Sequence, residues 1–242
     1  MFSDSTVYEI GLRFPVLIFS FLGVMFFMGL FSLSKGRPFD KRRGITLSSI
    51  YIAMYLALTL PSILLIVIVS ILIVLGCREW FEASKSKPSW RIPVSVWIIF
   101  GFSTFVFLRL QTNGSALCLF AFFLVNASDS AAYVCGKIWG KTKLTPVISP
   151  GKTVEGAVGG ILVVMLVALA FKWALPLKFS MLETLFYAIL IGICAQCGDL
   201  AASWSKRRLG IKDFGTILPG HGGILDRFDS SLLVMPVFVL VY

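Results

Sequence analysis

Eight apolar stretches, at about 14–34, 45–60, 62–77, 92–110, 115–135, 156–177, 182–202 and 230–242, constrain this chain more than any other feature. A helix needs roughly 20 apolar residues to cross a hydrocarbon core about 30 Å thick, and several stretches approach that length. Within lipid every backbone polar group must be satisfied internally, so the core has to be built by helices packing against helices. The expectation is an all-α, polytopic integral membrane protein of about eight transmembrane helices. Charged residues make up 14% of the chain, against about 25% in a soluble domain, which excludes a soluble two-domain enzyme. The second and third stretches are separated only by Pro61-Ser62, as a tight hairpin or one broken helix would be. Phe14 to Ser34 is too long for a leader and lacks a small-residue cleavage pattern, so it is read as a helix. The five cysteines fall in or beside apolar segments and read as packing residues. One membrane domain is expected, with N-terminal helices over 1–110 and, over 111–242, a region carrying two polar loops, 136–155 and 203–229.

Charge sets an expected orientation. If successive helices cross alternately with the N-terminus outside, the inward loops are 35–44, 78–91, 136–155 and 203–229. These carry all of the 22 basic residues except Arg13, Arg109, Lys172 and Lys178. Basic residues favour cytoplasmic loops, so both polar loops are expected to face the cytoplasm. The net charge of +10 then reflects membrane topology and anionic lipid headgroups rather than nucleic acid.

The acids are scarce, twelve in all, and two of them, Asp129 and Asp199, stand at or near the ends of apolar helices. An ionised carboxylate there costs several kcal/mol unless it is paired, which makes each a candidate functional residue. If the helix holding Asp199 continues, Ser203, Lys206 and Arg207 follow it on one face. The segment Ser203–Asp229 gathers Lys206, Arg207, Arg208, Lys212, Asp213, the lone His221, Asp226, Arg227 and Asp229 among five glycines. Cations beside carboxylates on a glycine-rich loop suit a polyphosphate held with a divalent metal. Two carboxylates from separate helices, such as Asp199 and Asp226, could hold Mg²⁺ while leaving its other positions to water and phosphate oxygens. The alternatives are a salt bridge capping the helix end at Asp199, and acids complementing a helix N-terminus at Asp226 and Asp229.

The second loop reads Ser149-Pro-Gly-Lys152-Thr153-Val-Glu-Gly156, followed by Gly159-Gly160. Its Gly-Lys-Thr is not a P-loop, because Pro146 stands where the first glycine belongs. A Ser/Thr/Lys cluster opening a glycine-rich helix can bind phosphate through backbone N–H groups, or can be an ordinary helix cap. Asp129 and Tyr133 lie one turn apart on the preceding helix, where a structural hydrogen bond is as reasonable as a substrate or metal role. His221, between glycines and without partner ligands, does not suggest zinc.

Taken together these residues resemble the phosphatidate cytidylyltransferase, or CDP-diacylglycerol synthase, family. Its long signature is met by Ser203, Lys206, Arg207, Lys212, Asp213, Gly215, Pro219, His221, Gly222, Gly223, Asp226, Arg227 and Asp229. Asp129-x-x-Ala132-Tyr133, the Ser149–Gly160 element and Gly198-Asp199-Leu200 occur in the family's order, so the likeness covers roughly 115–242. Departures are Ala202, where Glu is common, Ser205 in place of an apolar residue, and Asn126 in place of Trp.

The resemblance implies transfer of a cytidylyl group from CTP to phosphatidic acid, giving CDP-diacylglycerol and pyrophosphate in phospholipid biosynthesis. It implies Mg²⁺, with K⁺ as a companion, on Asp199 and Asp226. Lys206, Arg207, Lys212 and Arg227 would meet the phosphates, and Ser149, Lys152 and Thr153 the nucleotide or lipid phosphate. Asp213 and Asp229 would support the metal or add to its ligands, and Asp129, Ser203 and His221 complete the substrate-binding set. The expected partners are CTP, phosphatidic acid and the bilayer of the cell membrane, with no nucleic acid; a homodimer is compatible. Two alternatives remain: a CTP-dependent lipid kinase or cytidylyltransferase for another lipid phosphate, and an ion-conducting transporter or channel lined by Asp129 and Asp199.

Overall fold

The computed structural model describes residues 62–175, 177–217 and 222–242. The expected helices at 14–34 and 45–60, and His221, lie outside the described residues. In chain order the elements are α1 (Ser62–Ala83), α2 (Arg91–Arg109), α3 (Gly114–Ile138), β1 (Lys143–Thr145), β2 (Ser149–Thr153), α4 (Val154–Ala174), α5 (Met181–Leu209), α6 (Leu225–Phe228) and α7 (Ser231–Val241). Two 3₁₀ turns, Ser84–Ser86 and Pro88–Trp90, join α1 to α2. Among the described residues five helices are long and apolar enough to cross a membrane: α1 to α5, the first two extended by the 3₁₀ turns. The stretch expected at 230–242 is an 11-residue helix, shorter than a crossing.

Two expectations need correction. The architecture is not wholly α: β1 and β2 form an antiparallel hairpin, with Lys143 opposite Thr153 and Thr145 opposite Ser149. Thr145, Val147 and Pro146 favour extended or turn backbone, which a count of apolar runs does not register. In addition, α5 continues seven residues past the expected end at 202. Its last turn carries Lys206, Arg207 and Arg208, which complement the negative end of the helix dipole. Gly210 ends it with a left-handed φ of 72°, and at its start Ser180 and Glu183 form a reciprocal capping box.

Glycines let the helices approach closely. On α4, a Cβ at Gly156 would lie 2.6 Å from the Ala132 carbonyl oxygen of α3, and one at Gly160 would lie 3.1 Å from the Ala132 Cβ. Small residues on both sides bring α3 and α4 nearly backbone to backbone, as membrane helices do when packing replaces the hydrophobic effect. Gly198 on α5 has the same role against the Asp229–Ser230 backbone, 3.0 Å from where its Cβ would stand.

The core is largely aromatic. Phe228 of α6 stands edge-on to Phe102 at 5.3 Å and to Phe105 at 6.4 Å on α2. Phe120, Phe179, Tyr187 and Phe238 tie α3, α5 and α7 together at the other end. Outward-facing Ile63, Val74, Ile92, Leu166, Leu182 and Leu240 are exposed, which suits contact with lipid chains. The connections after α1, α3 and α5 gather at one end of the bundle. Trp90 stacks on Trp204 at 5.4 Å, and Arg207 Nε donates to the Ile148 carbonyl at 3.4 Å.

Gly156→Ala should destabilise the protein by about 1–3 kcal/mol, the usual cost of overpacking. Gly151→Ala, where no atom lies within 4 Å of the added Cβ, should be near neutral. Thermal melting of the two variants in the same detergent checks the difference.

Candidate functional site

The hairpin and the cytoplasm-expected ends of α3, α4 and α5 enclose a cavity of about 350 Å³, with Asp129, Tyr133, Ser149, Lys152, Thr153 and Asp199 in its wall. Asp129 and Tyr133 come from α3, Asp199 from α5, and Ser149, Lys152 and Thr153 from β2. Lys152 Nζ stands 2.7 Å from Asp199 Oδ2, while Ser203 Oγ donates to Asp199 Oδ1 at 3.4 Å, one turn along α5. Thr153 has a second duty: its Oγ1 accepts from the Gly156 N–H at 3.2 Å and caps α4. The helix-cap reading of this loop is therefore realised, by a residue that also lines the cavity. Glu155 fastens the hairpin by accepting from the Lys141 and Thr142 N–H groups at 3.1 Å each. Lys137 and Gln196 also line the cavity, and Gln196 Nε2 donates to the Ala157 carbonyl at 2.9 Å.

A second polar knot forms where α6 begins. Asp226 is 8% exposed, and its Oδ2 accepts from the backbone N–H groups of Phe214 at 2.9 Å and Gly223 at 2.8 Å. Lys206 Nζ lies 2.7 Å from Asp226 Oδ1 and 3.7 Å from Asp229 Oδ2. The Lys206 ammonium also sits 4.9 Å from the centre of the Phe214 ring, an additional electrostatic attraction in a sheltered position. The helix continues, so Lys206 lies on the face of α5 that carries Asp199, but its ammonium meets Asp226, and the cation beside Asp199 is Lys152. The reason is tertiary: the loop after Gly210 folds back and brings Asp226 against the last turn of α5.

The two knots are joined through Asp229 and Ser230. Asp229 Oδ1 accepts from the Ser230 N–H at 2.8 Å, and the Ser230 hydroxyl donates to Asp129 Oδ2 at 3.3 Å. Asp129 is within electrostatic reach of both Asp199 and Asp229. Burial, and then the charge of Asp199, push the Asp229 carboxyl up to about 6, with Lys206 pulling the other way. Four acids from three separate stretches thus share one electrostatic environment with two lysines. Among the described residues, no three or more His, Cys, Asp or Glu side chains meet as a complete metal cage. The donors are nevertheless all carboxylate oxygens, and a hard divalent cation needs only one or two of these when water and phosphate complete its shell.

Arg207 reaches the Ile148 and Ile211 carbonyls, each at 3.4 Å. Lys212, Asp213 and Arg227 are exposed. Glu79, which sequence reasoning passed over, is 3% exposed, and its carboxylate accepts from the N–H groups of Ile224 at 2.9 Å and Leu225 at 3.0 Å. The signal for it was present, since Glu79 follows an apolar run just as Asp129 and Asp199 do. Its neighbours Arg78 and Glu82 masked it: they form an exposed pair at 3.0 Å that reads as ordinary interface charge.

The model of the cytidylyltransferase family matches residues 10–242. The chain is also similar to proteins named phosphatidate cytidylyltransferase. The one from Staphylococcus epidermidis is 45% identical over 137 residues, 57% of this chain and 53% of that protein. Those from Staphylococcus haemolyticus and Staphylococcus aureus are 42% identical over the same shares. The chain spans about half the length of the curated relatives it matches.

Lys206→Met should be among the most destabilising single changes at this end of the bundle. It leaves Asp226 and Asp229 without their ammonium partner, and breaking a buried pair in this way costs about 3–5 kcal/mol. A melting temperature equal to that of the unaltered protein would refute this role for the ammonium.

Proposed function

This chain belongs to the cytidylyltransferase family, and we propose that it transfers the cytidylyl group of CTP to phosphatidic acid, at the cytoplasmic face of the cell membrane. The observation that carries this reading is that Asp129, Asp199 and Lys152 in the cavity wall are joined, through Ser230 and Asp229, to the knot of Asp226, Asp229 and Lys206. The likeness to proteins named phosphatidate cytidylyltransferase supports the choice of substrates. The region over 111–242 supplies this machinery, and the helices over 1–110 seat it in the bilayer.

The chemistry is a displacement at the α-phosphorus of CTP. An anionic oxygen of the lipid phosphate forms the new P–O bond, the bond to the bridging α–β oxygen breaks, and pyrophosphate leaves with that electron pair. A phosphate nucleophile is already charged, so no strong general base is needed. The difficulty is bringing two polyanions together, which positive groups fixed in advance relieve. Lys152 and Lys206 are held by Asp199 and Asp226 and stand ready to face phosphate oxygens. Arg207, Lys212 and Arg227 meet the outer phosphates, and Ser149 and Thr153 offer hydroxyls from the hairpin. Ser203 steadies Asp199, His221 belongs to the substrate-binding set, Asp213 and Asp229 would support the metal or add to its ligands, and Asp129 completes the negative wall.

Asp199 and Asp226 are the residues that would hold Mg²⁺, with K⁺ as a companion, and Mg²⁺ when bound compensates charge on the triphosphate. The acyl chains of the lipid remain in the hydrocarbon while CTP arrives from water. A homodimer belongs to the same reading.

Purified protein incubated with phosphatidic acid and CTP labelled at either the α- or the γ-phosphate tests the reaction. Label from the α-position should appear in lipid; label from the γ-position in lipid would mean a kinase instead. Asp199→Asn should lower turnover at least about 100-fold, beyond the 10- to 100-fold typical of a residue that only supports a metal site. Because Asp199 is a third exposed, the variant is expected to elute from a sizing column as the wild type does.

A further inference from the structure

Glu79 takes no part in the chemistry above, yet among the described residues it is the least exposed acid at this end of the bundle. It lies on α1, 145 residues before the N–H group it receives from Ile224. Its two oxygens take separate donors, Oε1 the Ile224 N–H and Oε2 the Leu225 N–H. The seat is shaped for it. A Cβ at Gly215 would stand 2.4 Å from Glu79 Oε1, and one at Gly223 would stand 2.5 Å from both oxygens. A side chain at either position would require the carboxylate to shift.

The donors Glu79 takes are interleaved with those of Asp226. Of three consecutive N–H groups, Gly223 gives its hydrogen to Asp226, and Ile224 and Leu225 give theirs to Glu79. Two carboxylates from opposite ends of the chain thus share the donors at the start of α6. Asp226 Oδ2 is fully engaged by Phe214 and Gly223, which leaves Oδ1 as the oxygen turned towards Lys206. Where Oδ1 points therefore depends on the placement of the 223–225 backbone. That backbone is also held by the Arg227 N–H, which donates to the Ile224 carbonyl at 3.0 Å, and by two apolar contacts, Phe228 against α2 and Leu225 against Gly76 of α1. Apolar contacts hold a segment against a surface but do not fix the direction of a carboxylate. Directional hydrogen bonds do.

We infer that Glu79 is a positioning residue for Asp226, fixing the 223–225 backbone so that Asp226 Oδ1 keeps the direction in which it meets Lys206 and in which it would bind a divalent cation. This rests on the reading of Asp226 as a metal ligand. Glutamine at position 79 keeps the shape but turns an NH₂ group towards one of the two backbone donors, so one bond is lost. Aspartate keeps two acceptors on a shorter stem.

The test uses the full chain in lipid nanodiscs and Mn²⁺ alone as the probe, followed by electron paramagnetic resonance, with turnover measured in parallel against Mg²⁺. Glu79→Gln should weaken Mn²⁺ binding roughly 10- to 100-fold, the range found for residues that orient metal ligands. It should also raise the Mg²⁺ concentration for half-maximal turnover by a similar factor, with Glu79→Asp intermediate. Gly223→Ala, which displaces the same carboxylate from the other side, should copy Glu79→Gln. A well-folded variant with wild-type Mn²⁺ affinity and Mg²⁺ dependence overturns the inference. So does loss of folding in all three variants, since Glu79 is then a structural staple. If the wild type itself neither binds Mn²⁺ nor turns over CTP, the reading of Asp226 falls, and this inference with it; changes confined to the variants bear on Glu79 alone.

Discussion

Everything at the loop-bearing end of this bundle follows from the cost of placing several carboxylates together at the end of membrane-embedded helices. Isolated, each would be costly to hold in such surroundings. The protein keeps them by supplying matched partners: ammonium groups at 2.7 Å for Asp199 and Asp226, and backbone N–H donors for Asp226, Asp229 and Glu79. The hairpin exists to deliver Lys152, and the unusually long α5 exists to deliver Lys206. Both arrive from the polar side, where a long lysine stem can reach inwards while its backbone stays at the surface.

Close helix packing is what makes that matching possible. If α3 and α4 were separated by ordinary side chains, the hairpin they carry would stand away from Asp129. The glycines at 156 and 160 let α4 sit against Ala132, and Gly198 lets the Asp229–Ser230 backbone touch α5. A few ångströms of approach at each of these points decide whether the acids share one field or remain separate. The aromatic core supports this without directing it: Phe228 on Phe102 and Phe105 pins α6, while the hydrogen bonds around it set the orientation.

Much of this was legible in the residues. Helix positions followed from apolar length, and the described helices fall close to the expected stretches because hydrocarbon thickness imposes a length on any crossing segment. Asp129, Asp199, Lys152 and Ser149 stood out because polar groups beside apolar helices need a reason, and they do line one cavity. The hairpin was missed because its strands are short and draw their stability from Glu155 and from α4 rather than from any alternating pattern. Glu79 was missed because its partners are backbone N–H groups far away in sequence, which no local spacing reveals.

By itself the sequence determined that this chain lives in a membrane, that its basic residues crowd alternate loops, and that scarce acids stand at or near the ends of its apolar helices. These are one-dimensional properties: hydropathy and charge are summed along the chain and do not depend on how it folds. Tertiary structure alone decided which cation meets which carboxylate, setting Lys152 on Asp199 and Lys206 on Asp226. Coulomb attraction and hydrogen bonding act over a few ångströms, and only the folded backbone determines which side chains come within that distance.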